Sequence, residues 1–226
     1  IKQIDDQIGR LLAHLEAKNL LDSTMIIFTS DHGDYLGDHW LGEKDLFHDA
    51  SARVPMIVVD PSVEADGTRG TVDDRLVEAI DIVPTIVGTF GGTIPAERLE
   101  GRSLLPLLRS KPGKPVEWRD YVVSEIDYAF RKAREWLELE PADCKATMLF
   151  DGRWKYILYE GFRPQLFDLE TDPDEQHDLG ESAEHAAERE RLNILLFTWF
   201  RQRKTRTTLT DSRIKEMFGG WNQAKR

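Results

Sequence analysis

Thr24-Met-Ile-Ile-Phe-Thr-Ser-Asp-His-Gly33 is an apolar run that stops abruptly on a carboxylate, an imidazole and a glycine. Four consecutive apolar residues, Met25 to Phe28, read as a strand covered on both faces, and such strands belong mainly to parallel sheets with helices packed on either side. Asp31 and His32 then fall just past the strand's carboxyl end, where open α/β sheets place their ligands. A carboxylate and an imidazole side by side can share one divalent cation if the chain turns between them, and Gly33 supplies the freedom for that turn. The same three residues also fit an ordinary strand-to-loop turn. A second uninterrupted apolar run, Pro55 to Val59, reads as another strand in a central parallel position. Ahead of both, Ile1 to Lys18 is patterned as a helix with Ile4, Ile8, Leu11, Leu12 and Leu15 on one face, directed at the sheet. Asp5 and Asp6 diverge by about 100° on that helix, which argues against a paired catalytic role.

Gly33 to Pro55 is a long loop with three glycines and many polar groups. Loops of this length are either functional or disordered, and the aromatic residues here argue for order. Three features stand together: Ser30-Asp-His-Gly33, a lysine, Lys44, thirteen residues beyond Asp31, and Ser51-Ala-Arg-Val-Pro55 leading into Met56-Ile-Val-Val-Asp60. In combination they resemble the sulfatase and phosphonate monoester hydrolase branch of the alkaline phosphatase superfamily. The phrase Lys44-x-x-x-x-Asp49-x-Ser51-x-Arg53-x-Pro55 is most similar to the phosphonate monoester hydrolases, and His32 stands where many sulfatases have asparagine. Asp81-Ile-Val-Pro-Thr85, Gly101 to Leu108 and Gln165 to Leu179 resemble further segments of the family.

The resemblance implies an α/β fold: the carboxyl-terminal half of an alkaline-phosphatase-like mixed or parallel sheet sandwich, followed by a small antiparallel sheet with a terminal helix. It implies hydrolysis of sulfate esters or of phosphonate and phosphate mono- and diesters. Asp31 and His32 become ligands of one divalent metal ion, Mn²⁺, Zn²⁺, Ca²⁺ or Mg²⁺. Lys44 becomes the group that touches the non-bridging or leaving oxygen. His39 and His48 flank Lys44 and are candidates for substrate contact or proton donation. Arg53 is expected to pin the loop through carboxylates. The family nucleophile, a cysteine or serine in Cys/Ser-x-Pro-x-Arg that is oxidised to formylglycine, has no counterpart, because the single cysteine, Cys144, is followed by Lys-Ala-Thr-Met. Residue 1 also falls inside a helical pattern with no initiator methionine. The chain therefore reads as roughly the carboxyl-terminal half of a longer enzyme, inactive by itself. A noncatalytic module and a phosphomutase of the same superfamily are the competing readings.

Among the 226 residues, 40% are hydrophobic, enough for a core, and no apolar run approaches the roughly 20 residues needed to span a bilayer. The net charge of −11 speaks against general nucleic-acid binding. One cysteine excludes an internal disulfide, so a cytoplasmic location is expected, although an absent amino terminus could carry a signal. From Arg201 onward there are eight Lys/Arg and two Asp/Glu. Such a basic tail suits either a polyanion or the acidic surface of a neighbouring subunit, and the resemblance implies a homo-oligomer contact.

The organisation expected is residues 1–115 as part of the metal-binding domain, 116–203 as a small antiparallel-sheet subdomain, and 204–226 as the tail. Lys111 to Pro115 is the linker candidate. Asp81 is expected to cap a helix that tolerates Pro84 in its first turn. Tyr121 to Glu125, Ala146 to Phe150 and Trp154 to Tyr159 read as strands, the last two joined by the hairpin signal Asp151-Gly152. The carboxylates Asp168, Asp172, Asp174 and Glu175 lack the spacing of a calcium loop and read as turn and cap chemistry. Ala183 to Arg203 reads as a helix packing through Leu192, Leu195, Leu196 and Trp199. His14, His177 and His185 read as structural or surface residues.

Overall fold

The helical repeat that begins the chain forms α1, Lys2–Ala17, in the computed structural model of the protein, which describes residues 1–93, 98–111, 113–203, 213, 214 and 216. In chain order there follow β1 (Ile26–Thr29), α2 (Asp49–Ala52), β2 (Met56–Val59), α3 (Ile82–Thr89) and α4 (Leu105–Leu108). Then come β3 (Val122–Asp127), α5 (Lys132–Trp136), β4 (Lys145–Phe150), β5 (Trp154–Tyr159), β6 (Gln165–Asp168) and α6 (Ala186–Gln202). The result is a mixed α/β chain with antiparallel sheets and a long final helix. No helix among the described residues is long and apolar enough to cross a membrane. Apart from residues 213, 214 and 216, the basic tail from Lys204, with Met217 to Trp221 and the oligomer contact expected of it, lies outside the described residues. So does Pro112 of the expected linker.

The elements fall into two units, each built from separate stretches. The first comprises Ile1–Asp31, Val54–Asp73 and Leu105–Glu117; the second comprises His32–Arg53, Asp74–Leu104 and Trp118–Arg226. In the first unit β1 pairs with β2 from Ile26↔Val59 to Thr29↔Met56, and the pair is antiparallel where a central parallel position was expected. An unbroken apolar run reports burial, and it carries no information on strand direction. Burial is itself incomplete, since Ile57 and Val59 of β2 are exposed. Nor is the apolar face of α1 covered: no residue of that helix is buried, and Ile4 and Leu11 are 62% and 58% exposed. Ile8, Leu12 and Leu15 on the same face are half-buried. Where this unit does hold together it uses charge, with Arg109 Nε donating to buried Asp60 at 2.7 Å and Nη1 to Glu64 at 2.9 Å.

The second unit contains an antiparallel sheet in the order β3-β4-β5-β6, a meander that needs only short connections. Its β4–β5 turn places Gly152, at φ 97°, as the first central residue, with Asp151 N–H donating to Trp154 O at 3.2 Å. Asp151 Oδ1 accepts from the backbone of Arg153 and Trp154 and so fixes the turn. Strand periodicity sorts the side chains to two faces. Ala146, Met148, Ile157 and Phe167 cluster with Phe47 on one; Leu149, Tyr156 and Leu166 cluster with Leu192 and Leu196 of α6 on the other. The sheet is thus covered on both sides, which explains its long buried runs.

In the same unit, Asp81 does more than the capping expected of it. It is fully buried; its carboxylate makes no capping bond to α3 but accepts from Glu78 N at 2.8 Å, closing a capping box with Glu78 over the turn that leads into α3, and it also accepts from Arg102 N at 2.7 Å and from Arg119. Thr85, one turn on, donates to Asp81 O at 2.6 Å and accepts from Leu104 N at 2.8 Å, which ties Gly101–Leu104 to α3. Gly101 sits so close that a Cβ there would lie 2.1 Å from Ile80 O.

Candidate active site

The loop from His32 to Arg53 belongs to the second unit and folds on itself. Tyr35 N–H donates to Glu43 O at 2.9 Å and Gly37 N–H to Leu41 O at 3.0 Å, closing two small circuits. Leu36, His39, Trp40 and Glu43 all have positive φ, between 49° and 60°, a conformation that is costly for side chains other than glycine. Residues held this way persist only when their surroundings over-determine them, and they gather at functional sites. At the loop's base Gly33 N–H donates to Ser51 O at 2.8 Å. Gly33 is also pressed against α2: a Cβ there would lie 2.0 Å from Ala50 O, so glycine is required by close approach.

His32 stands next to that clamp. Its Nδ1 lies 2.6 Å from Gly33 O, a carbonyl that can only accept, so Nδ1 carries the proton. Nε2 is thereby left with a lone pair, and Lys44 Nζ stands 2.5 Å from it. The structure therefore brings His32 and Lys44 together. It leaves the lysine exposed and the imidazole in the tautomer a metal ligand needs, with the second ring nitrogen anchored to a carbonyl. Asp31 is exposed and lies two residues past β1, closing a stretch of the first unit, with Ser30 Oγ 3.5 Å from its Oδ1. Among the described residues no three of His, Cys, Asp and Glu converge on one point.

His39 and His48 are brought together as well, in an aromatic cluster. Their rings stack at 3.9 Å, with Tyr35 edge-on to both and Phe167 edge-on to His48. His48 is buried, and Tyr35 Oη stands 2.9 Å from its Nδ1. Burial pushes the Tyr35 hydroxyl up to about 12, so it keeps its proton. Burial first, then His39 and Lys155, push His48 down to about 4. His48 is therefore neutral in the folded protein, while in the unfolded chain it titrates near the ordinary value of about 6.5. A depressed imidazole pKa means that the unfolded state takes up the proton first, so stability is lost as pH falls from about 6.5 and the loss levels off below about 4. Substitution of His48 by phenylalanine is expected to flatten that stretch of a stability-against-pH curve, measured by urea unfolding; an unchanged slope would mean His48 is not the group responsible.

Two side chains that matter here, Tyr35 and Lys155, were not picked out by sequence pattern, and a third, Glu175, read only as turn chemistry. Tyr35 reads as one aromatic residue among several in the loop. Lys155 is the second residue of β5 and 2% exposed, and its Nζ donates to Asp49 Oδ1 and Glu175 Oε1, each at 2.6 Å. Glu175 Oε2 accepts from Asp49 N–H at 2.6 Å. Asp172 accepts from the backbone of Gln176 and His177, the turn chemistry expected of it, and Asp168 accepts from that of Glu170 but chiefly from the Arg153 guanidinium. The available signal was the apolar company of position 155 in a strand buried on both faces, but a lysine is ordinarily read as facing solvent. Arg53, expected to pin the loop, reaches Asp49 among the described residues at 3.4 Å with its side chain 81% exposed, a contact of little strength. Lys155 holds that carboxylate from the buried side.

Residues 1–92 match the family model described as Sulfatase. The multifunctional alkaline phosphatase superfamily protein PehA of Trinickia caryophylli is 36% identical over 190 residues, covering 83% of this chain and 36% of that protein. An arylsulfatase of Clostridium perfringens is 34% identical over 196 residues, covering 86% of this chain and 37% of that protein. The crystal structure of the phosphonate monoester hydrolase of Agrobacterium radiobacter superposes with a TM-score of 0.81 at 34% identity, over 89% of this chain and 40% of that one. The chain thus spans well under half the length of the relatives it matches. The strand that ends on Asp31-His32-Gly33, the folded loop that returns Lys44 to His32, and these likenesses agree, and the chain belongs to the sulfatase and phosphonate monoester hydrolase branch of the alkaline phosphatase superfamily.

Proposed function

We propose that this chain is the carboxyl-terminal part of a metal-dependent enzyme that hydrolyses sulfate esters or phosphonate and phosphate mono- and diesters. The relatives support the reaction class, an arylsulfatase and a phosphonate monoester hydrolase among them. The observation that carries the reading is the state of His32, with Nδ1 committed to Gly33 O and the Nε2 lone pair facing the Lys44 ammonium. Asp31 and His32 would hold the cation, together with acidic ligands and a formylglycine-type nucleophile supplied from outside this chain. A bound divalent metal lowers the pKa of a coordinated hydroxyl and polarises ester oxygens. One imidazole among carboxylates admits Mn²⁺, Zn²⁺, Mg²⁺ or Ca²⁺ and favours a transition metal.

The chain's own residues then have distinct tasks. The Nε2 lone pair of His32, which faces Lys44, would be the one offered to a divalent metal. The Lys44 ammonium, on its flexible stem, would reach the non-bridging or leaving oxygen and stabilise the charge that develops there. His48, buried and neutral, supports the loop. His39 is less buried than its partner in the stack and is the one open to a substrate. In the same reading the basic tail docks on the acidic surface of a second subunit.

The test is ester turnover by the full-length polypeptide, purified, stripped by a chelator and assayed against an aryl sulfate and an aryl phosphonate ester. Turnover is expected to vanish on stripping and to return with Mn²⁺ or Zn²⁺, and not to return in an Asp31→Ala variant. A metal-loaded full-length polypeptide that turns over neither ester ends this reading.

A further inference from the structure

The Lys155 ammonium is buried near the start of β5, and a buried charge is costly unless paired on every side. Its pairing closes a ring through three segments distant in sequence. Lys155 Nζ donates to Asp49 and to Glu175, and Glu175 returns to Asp49 by accepting its backbone N–H. Glu175 is 3% exposed and has a φ of 52°, so it too is held in place against its own preference. Asp49 opens α2, the turn whose Ser51 O accepts the Gly33 N–H and whose Ala50 O lies against Gly33 Cα. Gly33 O in turn fixes the His32 ring. An unbroken path of short polar contacts therefore runs from the small sheet, through α2, to the imidazole.

We infer that Lys155 is a positioning residue: by holding Asp49 and Glu175 it clamps α2 against Gly33, and so sets where His32 stands. The small antiparallel sheet is then part of the machinery of the site, although it supplies no group that touches substrate. This rests on His32 being a site residue, as proposed above. Three facts set the ring apart from an ordinary structural ion pair. It is closed on both carboxylates, it is anchored in a sheet buried on both faces, and its far end is the glycine adjoining His32.

The experiment compares Lys155→Met, Lys155→Arg and Glu175→Gln in the full-length polypeptide by amide hydrogen exchange and by ester-hydrolysis kinetics. Glu175→Gln keeps an acceptor for Asp49 N–H while losing one charge, and it stands in if Lys155→Met does not fold. Exchange at Gly33 is expected to quicken about 10-fold or more beyond any change at Leu149 and Tyr156 in the sheet, which marks a local opening. The value of kcat is expected to fall about 100-fold with KM little changed, the signature of a displaced group, and Lys155→Arg is expected to recover part of both. A folded variant in which Gly33 exchanges no faster than in the parent, or only in step with Leu149 and Tyr156, overturns the clamp. So does an unchanged kcat. If the parent hydrolyses no ester, the proposed function falls, while the exchange arm still decides the clamp.

Discussion

Replacing Lys44 by alanine in the full-length polypeptide is expected to lower kcat by about 100- to 1,000-fold, the range seen when one donor is removed from a site of developing negative charge. The argument is geometric. Lys44 is carried back across the loop so that Nζ stands 2.5 Å from His32 Nε2, and the residue is otherwise exposed. An exposed lysine contributes little to folding, so the unfolding midpoint is expected to move by no more than about 0.5 kcal/mol in free energy. Loss of rate without loss of stability separates chemistry from collapse of the loop. Arginine is expected to be a poor substitute, because a planar fork cannot replace a compact charge on a flexible stem. Steady-state kinetics alongside thermal unfolding make the check. Parental kcat in Lys44→Ala would remove this lysine from the reaction.

The largest effect on stability is expected at Arg119. Its guanidinium meets Asp81 at 2.5 and 2.6 Å and Glu78 at 3.1 Å, and Asp81 is wholly buried. Both carboxylates are also committed to the backbone: Asp81 accepts from Glu78 N and Arg102 N, and Glu78 from Val123 N. Arg119→Met leaves this pair without its cation, while the bonds that hold the oxygens in place remain. Breaking a buried pair from one side costs about 3–5 kcal/mol, more than the pair contributes over an apolar replacement. Urea unfolding of the variant, followed by tryptophan fluorescence, is expected to show a loss in that range. A loss under about 1 kcal/mol would mean that water reaches the carboxylates and that the centre is softer than its burial implies.

Much of this molecule is legible in its residues, and the exceptions share a cause. Local pattern found α1, β1, β2, the β4–β5 hairpin and the Leu192–Leu196 stripe of α6, because each is a repeat of 3.6 or 2 residues or a turn with fixed chemistry. The family resemblance singled out His32 and Lys44, and the loop brings these two side chains into contact. Strand direction was not legible, since β1 and β2 are apolar on both faces whichever way they run. The strand β6 was hidden inside a polar phrase, because Asp168 there serves Arg153 across the hairpin. Asp81 read as a cap because a carboxylate before a helix usually is one; its partner Arg119 lies 38 residues away. The ring of Asp49, Lys155 and Glu175 was invisible for the same reason, with members 106 and 20 residues apart. What sequence conveys is the identity of charged groups. Which of them meet inside the fold is a property of tertiary packing.

The bare face of α1 has a physical consequence of its own. A cylinder with Ile4 and Leu11 open on one side and Lys2, Asp6 and Arg10 among its polar neighbours has the make-up of a surfactant. The polypeptide as it stands would gather at air–water and oil–water boundaries, and its behaviour in a test tube would depend on what is first offered to that greasy edge.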